Sequence, residues 1–315
     1  MKPLNLIPAK PNINFAGQRK VFFGISLLLI LLSATLFIVR DLNYGIDFQG
    51  GILVEVRVDR VGKLSEMRQR LSTLGLGEVS LQEFGAPTDI LIRVQKQVGG
   101  EKAQQAAINK IKRELGEGVK YRRTEFVGPK VSSELFQDGV LAVFLAIIGI
   151  LLYIWFRFEW QFGVGAIIAL CHDVITTIGI FALTGIEFNL STVAAILTIA
   201  GYSINDTVVV FDRVRENLRK FKSLSLFELL NNSVNETLSR TVMTSVTTLL
   251  ALLSLYILGG EVIRGFSFAM IWGVLIGTYS SICLAVPLLL YLNIDRGTSR
   301  AKDSSNNIKK GTSQL

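Results

Sequence analysis

The chain of 315 residues is half apolar, is only 18% charged and carries a formal net charge of +8. Its apolar residues are collected into long runs, which excludes an ordinary soluble domain, and two cysteines exclude a disulfide framework. The chain also lacks the GxxxxGKS or GxxxxGKT phosphate-binding loop, which excludes a P-loop ATPase.

Six apolar runs are each long enough, or nearly so, to cross the ~30 Å hydrocarbon core of a bilayer as a helix. The second run is the shortest, and the flanking Gly139 and Arg157 leave room to extend it. The sequence therefore predicts a polytopic α-helical membrane protein with six transmembrane helices. The runs cover 21–39, 140–156, 162–184, 188–211, 241–258 and 266–292.

Lys and Arg residues concentrate on one side of the predicted membrane, as the positive-inside rule describes for cytoplasmic segments. Segments 1–20, 212–240 and 293–315 hold four, six and five basic residues, whereas the short loops 185–187 and 259–265 hold one between them. We therefore expect both termini to be cytoplasmic. The net charge then indicates topology, contact with anionic membrane lipid or a cytoplasmic partner rather than nucleic acid.

These patterns divide the chain into five parts. The polar composition of the last part offers too little apolar surface for folding, so we expect it to be disordered. The parts are a cytoplasmic segment at 1–20, the first transmembrane helix at 21–39, an external, periplasmic domain at 40–138, the remaining five helices at 139–292 with a cytoplasmic loop at 212–240, and a cytoplasmic tail at 293–315.

A glycine-rich motif, GIDFQGG at 45–51, joins the first apolar run to the external domain. Its glycines permit backbone angles that are closed to other residues. From the residues alone, the motif is equally consistent with a plain connector and with a hinge that couples membrane to domain. The residues of the candidate hinge are Gly45, Asp47, Gly50 and Gly51.

Residues 50–128 predict one small α+β domain inserted after the first helix. The βαββαβ order of its elements is that of a ferredoxin-like sheet, with both helices on one face and the other face free for a partner. The domain lacks a Ser/His/Asp set and metal ligands, so we expect a binding or lever module rather than an enzyme. The predicted strands are Gly51–Val58, Val79–Phe84, Ile90–Val94 and Tyr121–Val127, and the helices are Ser65–Leu74 and Glu101–Leu115.

Polar residues follow helical faces in the third, fourth and fifth apolar runs. Since lipid offers no hydrogen bonds, we expect these faces to turn inward and form a shared polar core among the three helices. Within the third run, His172 and Thr177 can satisfy Asp173, and no metal site is predicted. A stripe of Gly273, Gly277 and Ser281 in the sixth run is explained by helix packing. Possible supporting residues of the polar core are Asn205, Ser203, Thr244, Asp173 and His172.

The most informative residues are Asp206 in the fourth run and Arg240 at the start of the fifth. A carboxylate in hydrocarbon costs about 2.5–3.5 kcal/mol and usually marks an ion or proton path. One interpretation is a structural salt bridge that pins two helices together. The favoured interpretation is a proton switch, in which the arginine clamps or releases the carboxylate as it titrates. Protons are then the coupling ion, and no other cofactor is expected.

Four runs of sequence closely resemble the SecD/SecF family of bacterial protein-export membrane proteins. The resemblance extends from the first helix through the sixth, and the third of these runs is long and specific. The runs are GIDFQGG at 45–51, CHDV at 171–174, GYSINDTVVVFDRVREN at 201–217 and LSRTVMTS at 238–245.

This resemblance implies half of a resistance-nodulation-division-like transporter that pairs with SecD in the bacterial inner membrane, often with YajC. It implies work with the SecYEG channel, after the SecA ATPase has started a preprotein across, driven by the proton-motive force. Asp206 matches the essential carboxylate of the family and Arg240 its functional arginine, while 45–51 matches the motif that links membrane and domain. A polypeptide grip on the free sheet face, through strand addition, is a hypothesis that accompanies this reading.

Two other classes of function are weighed against an export motor subunit. A passive scaffold of the translocon would use Asp206 and Arg240 as a structural pair. A proton-coupled exporter of small molecules shares the half-transporter plan, but such pumps have much larger external domains than the one predicted here. None of the three readings assigns an enzymatic reaction to the chain.

Overall fold

The computed structural model describes residues 11–59, 64–116, 119–292 and 294. The first ten residues, and the predicted disordered tail except Ile294, lie outside the described residues. In chain order the helices are α1 (Arg19–Arg40), α2 (Ile46–Gln49), α3 (Leu64–Ser72), α4 (Gly100–Leu115), α5 (Pro129–Arg157), α6 (Trp160–Thr184), α7 (Leu190–Lys220), α8 (Leu226–Leu258), α9 (Arg264–Ser280) and α10 (Val286–Leu288), and the strands are β1 (Gly51–Val58), β2 (Val79–Phe84), β3 (Ala86–Val94) and β4 (Val119–Val127).

Six helices in the described chain are long and apolar enough to cross a membrane, which confirms the predicted number. They are α1, α5, α6, α7, α8 and a continuous helix from Arg264 to Leu288, in which a π-helical turn at Ser281–Ala285 joins α9 to α10. The apolar windows of α1 and α5 are only 11% and 6% buried, whereas that of the last helix is 72% buried. The last helix therefore lies at the centre of the bundle, and α1 and α5 lie at its surface.

Two boundaries differ from the predicted ones because helices extend beyond their apolar runs. Helix α5 begins at Pro129, whose fixed backbone angle suits a first helical position, so the last ten residues of the predicted 40–138 domain are helical. A capping box of Ser225 and Glu228 begins α8. Most of the predicted 212–240 loop therefore belongs to α7 and α8.

The four strands form one antiparallel sheet in the order β2-β3-β1-β4. Alternate apolar residues of the strands, such as Ile52, Val54 and Ile92, pack beneath α3 and α4 with Leu71 and Ile111. The elements follow one another in the predicted βαββαβ order, and the ferredoxin-like assignment stays an interpretation of it. We call the end of the bundle that carries the sheet the sheet end, and the opposite end the far end.

The second face of the sheet is not free, contrary to the expectation from sequence. Leu53 and Leu91 on this face are buried against Ile46 of α2, so the apolar half of the face turns toward the membrane helices. Its polar half is closed by Asp89, whose two carboxylate oxygens bind Arg57 and Arg122. The hydrogen bonds from Arg57 hold the pKa of Asp89 below its usual value. The face is therefore partly covered, and a polypeptide grip on it stays a prediction.

The segment before α1 is clasped by two asparagines of α8 at the far end of the bundle. The amide oxygen of Asn235 accepts from the Ile13 backbone N–H at 2.9 Å, and its Nδ2 donates to the Ile13 carbonyl at 2.8 Å. The Oδ1 of Asn231 accepts from the backbone N–H of Ala16, which is itself buried. This amide clasp fixes the entry of the chain into its first membrane helix.

Candidate functional site

A fully buried carboxylate, Asp173, lies at the centre of the bundle on α6. Its Oδ2 accepts hydrogen bonds from the Oγ of Ser203 on α7 at 2.5 Å and from the Oγ of Ser280 on α9 at 2.7 Å. Its Oδ1 lies 3.0 Å from the Nδ1 of the buried His172. We call these four residues the Asp173 cluster. Because it draws groups from three helices, the cluster fixes how those helices are rotated about their axes.

Close approach of α9 to α7 makes this cluster possible. A side chain at Gly277 would place its Cβ 3.1 Å from the Cβ of Ser203, so the glycine brings the two helices into contact. Immediately afterwards, the π-helical turn directs Ser281 toward α7, where its Oγ lies 2.8 Å from the hydroxyl of Thr207. Single π-helical turns of this kind occur frequently at functional sites.

The sequence predicted a polar core among the third, fourth and fifth membrane helices, and the structure confirms the first two of these but not the fifth. The third and fourth membrane helices, α6 and α7, are joined by the sixth rather than by the fifth. The fifth, α8, contacts the sixth through a 2.7 Å hydrogen bond between Ser245 and Thr278. Thr177, expected to satisfy the Asp173 carboxylate, instead donates to the Asp173 backbone carbonyl at 2.7 Å.

Sequence reasoning missed Ser280 and placed Ser281 in a packing stripe. The available signal was the run of two adjacent serines one turn after Gly277, in a helix that is otherwise strongly apolar. In a membrane helix, a serine beside a small-residue contact surface indicates an interhelical hydrogen bond as well as close packing.

Asp206 of α7 is also buried, with 4% of its surface exposed, but its surroundings are different. Its Oδ2 has no hydrogen-bond partner among the described residues. Arg240 is exposed, and the described residues contain no ion pair between the two. The predicted structural salt bridge is not formed in this conformation.

Two of the predicted supporting residues face outward. Asn205 is exposed on α7, and Thr244 is exposed on α8, where its hydroxyl donates to the carbonyl of Thr241 at 2.8 Å. Together with Arg240 they give the bundle a polar stripe on its outside. Since lipid cannot satisfy such a stripe, it is a surface suited to another protein. The expectation that all polar faces turn inward is therefore wrong for this part of α7 and α8.

The glycine-rich motif binds directly to the beginning of α7. The carboxylate of Asp47 accepts a hydrogen bond from the backbone N–H of Leu190 at 3.0 Å. Leu190 is the first residue of α7, where backbone N–H groups lack helical partners and negative charge is favourable. Next to it, the N–H of Gly45 donates to the carbonyl of Phe188 at 2.9 Å. The motif is therefore attached to the helix that carries Asp206.

Two glycines of the motif are required by the backbone. Gly50 and Gly51 have φ angles of 71° and 128°, in the region that favours glycine. A Cβ at Gly51 would also lie 2.6 Å from the carbonyl oxygen of Val94. These contacts show that the motif is ordered against β3 and α7, and both readings from the sequence, a connector and a hinge, stay predictions.

An ion pair between Arg93 of β3 and Glu187, just before α7, forms a second contact between sheet and bundle. Arg93 also donates to the side chain of Asn43 at 3.1 Å. Burial raises the pKa of Glu187 although Arg93 opposes the shift. A cleft of ≈ 320 Å³ opens beside this pair, between the sheet face and the nearby ends of α8 and α9.

In the described ranges, no group of three or more His, Cys, Asp or Glu side chains is arranged to hold a metal ion. The chemistry that the site offers is that of buried carboxylates, hydroxyls and one imidazole. Such groups bind, hold and release protons.

Comparisons with known proteins agree with this architecture. Residues 107–295 match the model for "Protein export membrane protein SecD/SecF, C-terminal", and residues 35–60 match that for the "SecD/SecF GG Motif". Proteins named "Protein translocase subunit SecF" are similar to most of the chain. The one from Rickettsia rickettsii is 46% identical over 91% of this chain and 94% of its own length, and the one from Cereibacter sphaeroides is 46% identical over 96% and 95%.

Two solved structures are also similar. The crystal structure of SecDF, a translocon-associated membrane protein from Thermus thermophilus, has a TM-score of 0.82 at 38% identity. SecDF in a super-membrane-facing form has a TM-score of 0.67 at 36% identity. They match 92% and 96% of this chain, which in turn spans only 39% and 41% of those longer chains.

Proposed function

The chain belongs to the SecD/SecF family of protein-export membrane proteins, and from this premise we propose that it is an accessory subunit of the Sec translocase in the bacterial inner membrane. Relatives that carry the name of a translocase subunit along nearly their whole length support this role. Because the chain matches only part of each SecDF chain, a SecD subunit is the partner that completes the assembly in this proposal. SecYEG, YajC, SecA and a translocating preprotein are its further proposed partners.

The polar stripe of Asn205, Arg240 and Thr244 is the surface that we assign to the SecD subunit. Polar side chains on the outside of a membrane helix are costly in lipid and are satisfied against another protein. In this assembly, Arg240 and the carboxylate of Asp206, whose Oδ2 has no partner, lie close to the boundary between the two subunits. Proton access from that boundary would explain why a buried carboxylate is kept without a full set of partners.

In the proposed orientation the sheet domain is periplasmic and both termini are cytoplasmic. The basic residues at the far end, such as Arg157 and Arg215, support this orientation under the positive-inside rule. The sheet end carries fewer basic residues in its short loops.

Helix α7 is the element that we propose couples proton transfer to the sheet domain. Asp47 binds its first residue, Leu190, and Asp206 lies sixteen residues later, about 24 Å along the helix. A change of charge at Asp206 that moves α7 would therefore be transmitted directly to the junction below the sheet. The observation that carries the proposal is the hydrogen bond that attaches this junction to the helix that also carries Asp206.

The cost of a charged carboxylate in the membrane and the energy released by one proton crossing the membrane potential are of similar size. Keeping a carboxylate charged inside the membrane costs about 2.5–3.5 kcal/mol, and one proton crossing 100 mV releases about 2.3 kcal/mol. A single proton taken up and released at Asp206 could thus drive a two-state movement of α7. Such a movement of the sheet domain would bias a sliding preprotein in the outward direction during late export.

The proposal is tested by export of a pulse-labelled preprotein in cells whose only copy carries Asp206→Asn. Asparagine keeps the size and polarity of the side chain but cannot exchange a proton. We expect slow export that no longer responds to a proton ionophore, with normal membrane abundance of the complex. Asp138→Asn, which changes an exposed aspartate on α5, is the matched control and should export like the wild type.

Export at the wild-type rate by the Asp206→Asn protein would leave a passive scaffold as the better description. Loss of the complex from the membrane would likewise indicate a structural role for the carboxylate. Only slow export by a fully assembled complex supports proton coupling.

A further inference from the structure

An open groove of ≈ 580 Å³ lies at the far end of the bundle, between the last turns of α5 and α7. It is separated from the Asp173 cluster and from Asp206, and the proposed proton coupling makes no use of it. Four of its six lining residues are basic. The lining residues are Arg157, Asp212, Arg215, Glu216, Arg219 and Lys220.

The two acids of the groove already form ion pairs with arginines, one of which, Arg157, also lines the groove. Asp212 accepts from the Nη2 of Arg157 at 2.8 and 3.0 Å, and Glu216 accepts from Arg213 at 2.6 Å. The ion pairs of the described residues leave Arg219 and Lys220, both exposed, without a carboxylate partner. The groove therefore presents a local excess of positive charge.

Arg215 is held in place inside this groove. Its Nη1 donates to the carbonyl of Arg157 at 3.1 Å, and its guanidinium lies 5.6 Å from the centre of the Phe158 ring. The Arg157 guanidinium lies over the same ring at 5.0 Å. Because Arg215 is oriented by these neighbouring groups, it loses less conformational entropy when an anion binds to it.

Large apolar side chains are exposed close in sequence to Arg157, which lines the groove. Trp155 and Phe156, at the end of α5, are 72% and 96% exposed, and Trp160, at the start of α6, is 59% exposed. Tryptophan is enriched where the hydrocarbon of a bilayer meets its headgroups. The exposed aromatic residues therefore place the end of α5, and with it Arg157 of the groove, at the level of the lipid headgroups.

We propose that this groove binds the phosphate headgroup of an anionic phospholipid, with Arg215, Arg219 and Lys220 around the phosphate and an acyl chain against Trp155 and Phe156. Basic pockets at the ends of membrane helices bind such headgroups. A free phosphate ion would use the charges but not the aromatic surface. An acidic protein segment would use the charges without requiring them to lie beside exposed tryptophan.

The test is native mass spectrometry of the full-length chain in detergent, titrated with dioleoyl-phosphatidylglycerol and, separately, with dioleoyl-phosphatidylcholine. We expect the wild type to bind phosphatidylglycerol saturably and more tightly than phosphatidylcholine. The double variant Arg219→Gln/Lys220→Gln should bind phosphatidylglycerol about thirtyfold more weakly, since each of the two basic residues near a membrane contributes about 1 kcal/mol. The control Lys102→Gln/Lys110→Gln removes two exposed charges from α4 and should bind normally.

Fluorescence gives a second measurement in vesicles. Phosphatidylglycerol with brominated acyl chains should quench tryptophan emission more than brominated phosphatidylcholine does, and Arg219→Gln/Lys220→Gln should remove that difference. Unchanged circular dichroism of the variant shows that it is folded.

Several results would overturn the assignment. Equal weakening by both double variants would indicate a general effect of net charge. Displacement of phosphatidylglycerol by millimolar inorganic phosphate would make the groove a site for free phosphate. Unchanged lipid binding, together with loss of a co-purified protein from the Arg219→Gln/Lys220→Gln complex, would make it a protein contact.

Discussion

The two carboxylates buried in the helical bundle have opposite surroundings. The carboxylate of Asp173 accepts hydrogen bonds from Ser203 and Ser280 and lies within hydrogen-bond distance of His172, so its partners come from three helices. Asp206 is buried to a similar degree, but its Oδ2 has no hydrogen-bond partner in the part of the chain that the structure describes. We call the Asp173 carboxylate closed, because both of its oxygens have partners, and the Asp206 carboxylate open, because its Oδ2 has none.

This difference separates a structural joint from a candidate switch. A buried carboxylate whose two oxygens both have hydrogen-bond partners belongs to a rigid network, because each member depends on the others. A buried charge with an unsatisfied oxygen destabilises the fold and is retained where function needs it. Burial alone therefore does not distinguish the two carboxylates, whereas the number of their hydrogen-bond partners does.

Removal of the closed carboxylate should have the largest effect. Asp173→Ala leaves two buried serine hydroxyls and His172 without their common partner, so we expect the free energy of unfolding to fall by about 3 kcal/mol. The measurement is the unfolding midpoint of the full-length protein in detergent. The control Asp138→Ala, at an exposed position, should change stability by about 0.5 kcal/mol or less. An unfolding midpoint of Asp173→Ala equal to that of the wild type would show that the Asp173 cluster does not stabilise the bundle, contrary to the contrast drawn with Asp206.

Removal of one partner from the closed cluster should have a smaller effect. Ser280→Ala takes away one hydrogen bond to Asp173 and should cost about 1 kcal/mol in the same unfolding measurement. Ser254→Ala is the matched control, because Ser254 is exposed and its hydroxyl donates only to the Leu250 carbonyl of its own helix. Equal effects of the two substitutions would show that the Asp173 cluster adds nothing to an ordinary helical serine.

Glu187 is an intermediate case, since it is paired with Arg93 and yet burial raises its pKa above the ordinary 4.5. The folded state therefore takes up a proton before the unfolded chain does. The contribution of this group to stability grows as the pH falls toward 4.5 and is lost as the pH rises through the folded pKa. Glu187→Gln should remove this dependence, in unfolding measured from neutral pH to 4.5, with an effect smaller than that of Ser280→Ala.

Asp89→Asn is the control of opposite sign for this pH dependence. The folded pKa of Asp89 lies below its ordinary 3.8, so its contribution is present above 3.8 and is lost as the pH falls through the folded pKa. A pH profile that Glu187→Gln leaves unchanged would show that burial of Glu187 is not coupled to protonation.

The open carboxylate should contribute least to stability. Asp206→Asn removes a buried carboxylate that has an unsatisfied oxygen, so we expect the unfolding free energy not to fall below that of the wild type. The same measurement in detergent checks this, beside Asp173→Asn. A loss as large as that of the Asp173 variant would contradict the comparison and make Asp206 a second structural joint.

The sequence predicted the elements of the fold because their signals are local. Six apolar runs and the alternating strands of the sheet follow from hydrophobicity and turn residues, and the two glycines of the motif were visible as Gly50 and Gly51. Helix ends were less predictable. The charged residues in the last turns of α7 and the first turns of α8 suggested a loop. Both stretches are helical, and a capping box at Ser225 begins α8.

The site was predictable by residue type but not by arrangement. Asp173 and Asp206 stand out as acids in apolar runs, yet both have the same local sequence signal. Which one is satisfied depends on the rotation of α9, which brings Ser280 to Asp173 and leaves Asp206 alone. Contacts between helices decide that rotation, and a single sequence does not contain them in any local pattern.

The amide clasp at the far end has a consequence for the biosynthesis of the chain. Ile13 and Asn235 are separated by 222 residues. At a synthesis rate of 5–20 residues per second, the asparagine is made roughly 10–45 s after the segment that it holds. During that interval α1 is already a complete apolar helix, but the residues before it have no partner in α8. The first membrane helix therefore acquires its final anchorage only when the fifth is being made.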